Sequence, residues 1–300
     1  MTGPVPLPTA WVDQVATYPA DGGPTGAEWL SAVPRLLSDG LERWGLTVDG
    51  EPRTGYTAIV VPVRRGVQRL ALKVTWPHPE GRHEALALRT WAGNAAVRLV
   101  AALPSDGLLL LERLDADQDL SEVWVDEACE VIGELLGRLH VTAPPQVERL
   151  GPYLQPHLER MSRRPAVPRR ISQRTAGLAR ELFSDDVPAR LLHTDLHFEN
   201  VLRRRDGAWV AIDPKPVAGH PGFDVFPVLH NRVDELGTGA AFRWSVRHRV
   251  ELVADAAGID VDEARVWSLL RAGVEVSWTS ELGDTEGLST AIALTKALDD

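Results

Sequence analysis

The most informative stretch of the sequence combines a histidine, an aspartate and an asparagine in the pattern His193-x-Asp195-x-x-x-x-Asn200. A second aspartate, Asp213, follows a predicted turn at Asp206-Gly207. Phosphoryl transfer from ATP uses such a set, because one aspartate orients or deprotonates the acceptor hydroxyl while an asparagine and a second aspartate give oxygens to Mg²⁺. We therefore predict that Asp195 and His193 are catalytic and that Asn200 and Asp213 bind the metal.

A plainer interpretation is open for a His-x-Asp pattern, because these residue types also form turns that local side-chain-to-backbone hydrogen bonds hold. Here Asn200 stands at the required offset and Asp213 closes the hairpin that follows, which favours the catalytic interpretation. Amide and carboxylate oxygens are hard ligands and suit Mg²⁺. A hairpin between the two ligands would hold them at a fixed separation, and positioning with charge neutralisation supplies most of the catalysis in this chemistry.

A nucleotide site of this kind also needs a lysine on a strand and a glutamate on the next helix. Lys73 lies on the third predicted strand between apolar neighbours, and Glu84 lies at the start of the helix predicted next. An unpaired ammonium among apolar side chains is costly, and an ion pair with Glu84 would relieve that cost. We predict that Lys73 and Glu84 anchor the ATP phosphates; the alternative is an ordinary surface lysine.

A run of leucines, Leu108–Leu111, leads into a more polar segment at Glu112, Arg113 and Leu114. Plain core packing explains the leucines. The backbone of the three residues that follow is predicted to pair with adenine while the side chains pack.

Short runs rich in valine, isoleucine and threonine, separated by turn-forming residues, predict antiparallel strands. They cover Leu46–Asp49, Tyr56–Val63, Val67–Thr75, Ala96–Leu103 and Leu108–Leu114. Apolar residues at every third or fourth position predict helices. These cover Ala27–Trp44, His83–Ala92, Val125–Leu139 and residues 172–184, with a helical pattern expected from Asp115 onward.

The second half of the chain predicts helices around an inserted hairpin. Residues 142–170, rich in proline and arginine, are expected to connect two helical regions, and residues 191–213 form the hairpin strands. Residues 224–300 are predicted to be helical, with breaks at Gly258 and Gly283. The sequence thus predicts an α+β fold with a small antiparallel-sheet lobe, residues 1–114, and a larger, mainly helical lobe, residues 115–300.

Composition bounds the class of protein. The chain has 300 residues, 44% of them hydrophobic and 25% charged, as in a globular chain of two domains or one two-lobed domain. The formal charge of −10 argues against nucleic acid as a partner and would attract cations. The lone cysteine, Cys129, excludes an internal disulfide and fits a reducing cytosol. With no secretory signal pattern and no apolar run of about 18 residues, we expect a cytoplasmic protein without a membrane partner; the oligomeric state is not predicted.

Taken together, these motifs resemble those of the aminoglycoside phosphotransferase-like kinases, and most closely the streptomycin 6-phosphotransferase/hydroxyurea kinase branch. The resemblance runs from about residue 45 to the C-terminal helices. The Asp213-Pro214-Lys215 run is the part of the resemblance that is specific to this branch. The matching residues are Lys73, Glu112–Leu114, His193–Asn200, Ala211–Pro216 and Gly222–Asp224.

The resemblance implies a bilobal protein-kinase-like fold that binds ATP and Mg²⁺ and a small hydroxyl-bearing acceptor. It implies the catalytic carboxylate at Asp195 and a bracing role for Asp224. The sequence departs from the family pattern at three positions: Thr194 and Glu199 stand where glycines are common, and His220 stands where an acidic residue is common.

We therefore expect an ATP- and Mg-dependent O-phosphotransferase whose acceptor is a small cationic molecule, an aminoglycoside such as streptomycin. The alternatives are a kinase for an endogenous amino sugar, amino alcohol or hydroxyurea-like metabolite, and a nucleotide-binding pseudokinase. The presence of Lys73, Asp195, Asn200 and Asp213 argues against the pseudokinase. Candidate acceptor contacts on the last helices, for which a solvated helix face is the alternative, are Glu275, Glu281 and Asp284 near Trp278.

Overall fold

The computed structural model of the protein describes residues 5–183 and 189–299. The chain divides into two compact units, the first formed by Met1–Asp115 with Arg204–Asp206 and the second by Ala116–Arg203 with Gly207–Asp300. Residue 184, the last residue of the helix predicted over 172–184, lies outside the described part. Residues 1–4 of the predicted N-terminal domain and residue 300 of the predicted C-terminal domain also lie outside it.

The first unit begins with two helices, α1 (Thr9–Val15) and α2 (Gly26–Arg43). A capping box starts α2: the Thr25 side chain accepts a hydrogen bond from the Glu28 N–H, and the Glu28 carboxylate accepts one from the Thr25 N–H. The helix continues through Pro34 and buries one apolar face in a core that it shares with the sheet of this unit. The predicted helix Ala27–Trp44 is confirmed to within a residue at each end.

The sheet of the first unit is antiparallel, in the order β1-β3-β4-β6-β5. The short strand β2 also pairs with β3, near the N-terminal end of β3. Its strands are β1 (Thr47–Val48), β2 (Arg53–Thr54), β3 (Ala58–Arg65), β4 (Gln68–Thr75), β5 (Leu99–Leu103) and β6 (Leu108–Glu112). A tight turn at Gly66, whose φ is 59°, joins β3 to β4; glycine adopts this left-handed conformation without strain. Helix α3 (Glu84–Trp91) follows β4 in the chain. The five predicted strands are confirmed, and β2 was not predicted.

The second unit is mainly helical, as predicted. Its helices are α4 (Val125–Leu139), α5 (Leu150–Met161), α6 (Arg169–Leu182), α7 (Gly239–Ala257), α8 (Val261–Leu282) and α9 (Thr285–Leu298). The predicted breaks at Gly258 and Gly283 are confirmed, because these residues end α7 and α8 with φ values of 69° and 70°.

Two small sheets accompany these helices. One is three-stranded in the order β10-β9-β7, and the other pairs β11 with β8. The β10–β9 and β11–β8 pairs run antiparallel. The strands are β7 (Asp115–Asp119), β8 (Arg190–Leu192), β9 (Val201–Arg203), β10 (Trp209–Ala211) and β11 (Val217–Gly219). Short strands predicted over residues 191–213 are present, and β9 and β10 form a hairpin around the turn at Asp206-Gly207. Residues 191 and 192 lie outside this hairpin, because β8 pairs with β11.

Two predictions for this half of the chain were wrong. The pattern after Asp115 was expected to be helical, but β7 forms there because β9 offers it a partner for backbone hydrogen bonding. The connection predicted over residues 142–170 contains α5, which tolerates Pro152 in its first turn and Pro156 in its interior.

Cys129 lies on α4 and is fully buried. Burial raises the pKa of its thiol to about 12. Within residues 5–183 and 189–299, none of the helices is both long enough and apolar enough to cross a bilayer.

Candidate active site

Lys73 and Glu84 form a buried ion pair in the first unit. Lys73 lies on β4, opposite Val60 of β3 and Leu109 of β6. Glu84 is the first residue of α3. The Lys73 Nζ lies 2.6 Å from the Glu84 Oε1, and each side chain is only 6% exposed. The pairing predicted from the sequence is therefore present, and it compensates a charge that would otherwise be buried among apolar neighbours.

The segment predicted to bind adenine is fixed by its side chains. The Glu112 carboxylate accepts hydrogen bonds from the Arg98 N–H and from the guanidinium of Arg204, whose Nη2 lies 2.8 Å away. The Arg113 guanidinium donates to the carbonyls of Leu70 and Val63. These contacts hold the backbone of the segment on the sheet. The Glu112 N–H donates to the Arg98 carbonyl and is therefore already used. The predicted pairing with adenine would use the other backbone N–H and C=O groups of residues 112–114.

The catalytic stretch predicted in the second unit forms a loop between β8 and β9. His193, Thr194 and Asp195 follow the last residue of β8, and a short 3₁₀ helix, Phe198–Asn200, leads into β9. The loop is tied to the segment after β10: the Ile212 N–H donates to the Asn200 carbonyl and the Lys215 N–H donates to the His193 carbonyl, each at 2.9 Å.

Those two hydrogen bonds flank Asp213, which follows Ile212 directly. The backbone therefore holds the predicted catalytic residue Asp195 and the predicted metal ligands Asn200 and Asp213 on neighbouring segments of one unit.

Asp224 braces the loop, as the family resemblance implied. Its fully buried carboxylate accepts hydrogen bonds from the Thr194 N–H at 2.6 Å and the His193 N–H at 2.8 Å. The ring of His140 donates to the same carboxylate through Nε2 at 3.0 Å. Hydrogen bonds to a charged acceptor are stronger than those between neutral groups, so one carboxylate fixes the entry to the loop.

Thr194 occupies a conformation that glycine adopts more readily. Its φ of 59° lies in the left-handed region. The backbone N–H is held by Asp224, and the side-chain hydroxyl donates to the Lys215 carbonyl at 2.5 Å. These two bonds explain how a threonine stands where the family pattern has glycine. Asp213 also has a positive φ, 55°, which places a second strained residue in the same site.

His193 is buried, and its ring is held by the chain itself. Nε2 donates to the Ile212 carbonyl at 2.9 Å, which leaves Nδ1 as the acceptor for the Asp195 N–H at 3.3 Å. Burial lowers the pKa of His193, against the opposing effects of Asp224 and Asp195. A neutral histidine with these bonds orients the backbone at Asp195.

Asn200 directs its amide nitrogen at Asp195. Nδ2 lies 2.8 Å from the Asp195 carbonyl oxygen and 3.4 Å from the carboxylate Oδ2. With Nδ2 committed in this way, the amide oxygen is the group that remains for a cation.

The donor set fits Mg²⁺. An amide oxygen from Asn200 and a carboxylate from Asp213 are hard ligands, and Mg²⁺ commonly takes one or two protein oxygens while phosphates and water complete its octahedron.

Lys215 pairs with the predicted catalytic aspartate. Its Nζ lies 3.0 Å from the Asp195 Oδ2. Burial of Asp195 by itself would raise the pKa of the carboxyl group, but the pKa is lowered. The positive charge of Lys215 is the largest opposing effect, and His197 and the Lys215 hydrogen bond add to it. Asp195 is thus held ionised. The sequence pointed to the Asp-Pro-Lys run without assigning Lys215 a role.

The candidate acceptor contacts on α8 and α9 have partners within the protein. Glu281 pairs with Arg160 and Arg164, and the Asp284 side chain caps α9 by accepting from the Gly287 N–H. The Trp278 Nε1 donates to the His157 Nδ1 at 2.6 Å. The structure therefore gives Glu281 and Asp284 structural contacts, and Glu275 remains a predicted acceptor contact.

Two further polar residues of this unit were not predicted. His230 has a buried Nδ1 without a hydrogen-bond partner among the described residues, and burial lowers its pKa to about 3. Arg271, on α8, likewise has a buried Nε that no described residue accepts. Neither belongs to a local motif, so the sequence carried no signal for them.

The architecture matches solved structures of kinases that act on small molecules. A choline/ethanolamine kinase family protein from Mesorhizobium loti superposes with a TM-score of 0.64 at 13% sequence identity, over 88% of this chain and 97% of that one. A match at this identity shows the fold alone. The α+β, protein-kinase-like fold predicted from the sequence is confirmed.

Residues 43–283 match the family model described as aminoglycoside/hydroxyurea antibiotic resistance kinase. Streptomycin 6-kinase of Streptomyces glaucescens is 36% identical over 291 residues, covering 94% of each protein. Hydroxyurea phosphotransferase of Kitasatospora aureofaciens is 36% identical over 311 residues, covering 98% of this chain and 86% of that protein. The chain therefore belongs to the aminoglycoside/hydroxyurea antibiotic resistance kinase family. The predicted resemblance and the predicted enzyme class, a small-molecule kinase, are confirmed.

Proposed function

We propose that the protein transfers the γ-phosphoryl group of ATP, in the presence of Mg²⁺, to a hydroxyl of a small acceptor. The observation that carries this proposal is the hydrogen-bonded loop of the second unit, in which the backbone ties from Asn200 and His193 to residues 212–215 hold Asp195, Asn200 and Asp213 on neighbouring segments. When bound, Mg-ATP supplies the phosphoryl group and the metal neutralises the charge on the phosphates.

The residues take the following roles in this proposal. Asp195, ionised beside Lys215, accepts a hydrogen bond from the acceptor hydroxyl and takes its proton. Asn200 and Asp213 hold Mg²⁺. His193 keeps Asp195 in position through its Nδ1 and does not itself exchange a proton.

The first unit binds the nucleotide in this proposal. Lys73, oriented by Glu84, holds the α- and β-phosphates. The backbone of Glu112, Arg113 and Leu114 pairs with adenine. The two predicted domains, residues 1–114 and 115–300, thus divide the work into nucleotide binding and phosphoryl transfer.

The acceptor we propose first is an aminoglycoside such as streptomycin, because one relative named streptomycin 6-kinase matches over 94% of this chain and because the net charge of −10 favours cationic molecules. A hydroxyurea-like acceptor is the second candidate, since the relative named hydroxyurea phosphotransferase matches over 98% of the chain.

The test is ADP release with Mg-ATP and a panel of acceptors: streptomycin, hydroxyurea, an amino sugar and ethanolamine. We expect turnover with streptomycin or hydroxyurea, and a fall of about 10²- to 10⁴-fold in Asp195→Asn with ATP binding retained. Asp262→Asn is the matched control, because that side chain is 90% exposed. Turnover with ethanolamine or the amino sugar alone would replace the acceptor assignment with an endogenous metabolite. ATP binding without turnover of any acceptor would mark a pseudokinase, and near-normal activity of Asp195→Asn would refute the catalytic role.

A further inference from the structure

Arg271 has a buried guanidinium in the second unit, and none of the described residues offers it a carboxylate partner. The residue is 8% exposed and lies on α8. The centre of its guanidinium lies 4.5 Å from the ring centroid of Trp278 and 4.9 Å from that of Phe223. Across residues 5–183 and 189–299 its Nε has no hydrogen-bond acceptor, and no carboxylate lies within ion-pair distance.

The same unit shows how a structural arginine is treated. Arg249 is 3% exposed, and its guanidinium donates to the carbonyls of Val228, Asn231 and Arg232 at 3.0 Å each. Glu235 adds a carboxylate oxygen at 3.7 Å. The fold therefore supplies the buried guanidinium of Arg249 with acceptors from its own chain.

Leaving a buried guanidinium N–H without an acceptor is unfavourable, and aromatic faces recover only part of the lost hydration. The contrast with Arg249 indicates that Arg271 is incomplete until another group supplies acceptor atoms.

Arg271 contacts a residue that adjoins the carboxylate bracing the loop of Asp195. Phe223, one of the two rings against its guanidinium, precedes Asp224, the carboxylate that holds the backbone of His193 and Thr194. His230 is within electrostatic reach of both Arg271 and Asp195. Phe223 and His230 thus connect Arg271 with the loop that carries Asp195.

We propose that Arg271 is a specificity-determining residue that donates hydrogen bonds to a neutral or anionic oxygen of the acceptor, and that it keeps cationic groups out of this subsite. This inference rests on the proposed function. The half-buried ring of Trp278 forms an apolar wall beside the subsite. A polycationic acceptor would then present an uncharged, oxygen-bearing face to Arg271 and direct its cationic groups elsewhere.

Arg271→Met tests the inference, because methionine keeps the aliphatic volume and removes the charge. We expect the KM for the acceptor to rise about 10- to 100-fold, the range that corresponds to losing a hydrogen bond from a charged donor, with the KM for ATP changed less than about twofold. We also expect a melting temperature at least equal to that of the wild type, since the buried Nε–H that no described residue accepts is removed. Arg265→Met, on the same helix and more exposed, is the matched control.

An unchanged acceptor KM would overturn the inference. So would a lower melting temperature with a parallel loss of ATP use, since that result marks a structural arginine. Arg271→Lys provides a second variant that keeps the charge; we expect its acceptor KM to lie between those of wild type and Arg271→Met.

A binding measurement separates this inference from the proposed function. The probe is hydroxyurea, a neutral molecule with a carbonyl oxygen. We expect hydroxyurea to raise the melting temperature of the wild type more than that of Arg271→Met, whether or not phosphate is transferred. A shift that is equal in the two proteins, zero included, overturns the role of Arg271, whereas absence of turnover with a larger shift in the wild type refutes only the proposed reaction.

Discussion

Replacing Lys215 with methionine should move the acid limb of the pH–rate profile to higher pH. In the wild type the Lys215 Nζ lies 3.0 Å from the Asp195 carboxylate and the pKa of Asp195 is lowered. Burial is the largest influence on this carboxyl group and acts to raise its pKa. Once the ammonium is removed, burial is opposed only by weaker effects, so the pKa of Asp195 should rise.

The size of the change follows from the geometry. An opposite charge within hydrogen-bond distance commonly lowers a carboxyl pKa by about 1 to 3 units. The Lys215 side chain is 36% exposed, so solvent screens part of its charge. We therefore expect the acid limb of kcat/KM for the acceptor to move upward by about 1 to 2 pH units.

The assay is ADP release from pH 4.5 to 9 with saturating Mg-ATP and the acceptor identified in the panel. Lys215→Arg should keep the limb near its wild-type position, because it retains the positive charge. Lys296→Met is the matched control, since Lys296 is an exposed lysine of α9. A limb that stays in place in Lys215→Met would show that this ion pair does not keep Asp195 ionised.

The remaining predictions concern buried contacts that contribute to stability and activity. Glu84→Gln breaks the 2.6 Å ion pair with Lys73 and should lower the free energy of unfolding by about 3 kcal/mol, measured by urea titration, while Lys73→Met should raise the KM for ATP at least about tenfold. Asp224→Asn leaves one of the backbone N–H groups at the loop without an acceptor, and should lower the free energy of unfolding by about 2 kcal/mol and abolish turnover in the ADP assay. Arg204→Ala removes a paired guanidinium from Glu112 and should destabilise the protein by about 1 to 2 kcal/mol in the same titration.

A surface pair provides the control for these stability changes. Arg35 and Asp39 lie one turn apart on α2 with side chains 69% and 53% exposed, so Arg35→Ala should change the free energy of unfolding by less than about 0.5 kcal/mol. If Glu84→Gln were as mild as this control, the Lys73 pair would be better solvated than its burial indicates. An active Asp224→Asn variant would show that the loop keeps its shape without the carboxylate, and an Arg204→Ala variant of wild-type stability would contradict the contribution of that pair.

Helix α4 illustrates what local pattern predicts well. Its apolar residues recur at helical spacing without interruption, and both ends of the helix fall at the predicted residues, Val125 and Leu139. Strand β7 illustrates the opposite case. Asp115–Asp119 is rich in aspartate, a residue that rarely favours strands, and it becomes a strand because β9 pairs with it from more than 80 residues further along the chain.

The candidate site also contains residues that a local pattern predicts and residues whose contacts depend on the tertiary fold. Asp195, Asn200 and Asp213 belong to a local motif with fixed spacing, so residue type and offset were sufficient to select them. The pairing of Lys215 with Asp195 depends on how the segment after β10 returns to the loop, which spacing alone does not define. Arg271 lies outside that motif, and the inference about it rests on a buried Nε that no described residue accepts, a property that only three-dimensional structure reveals.

The buried thiol of Cys129 has a practical consequence. With a pKa raised to about 12 and no exposed sulfur, the only cysteine in the sequence should resist maleimides and other alkylating reagents while the protein is folded. A cysteine introduced at an exposed site, such as Trp244 on α7, would then be the single labelling position. Fluorophores or spin labels can thus be attached one at a time without first deleting a native residue.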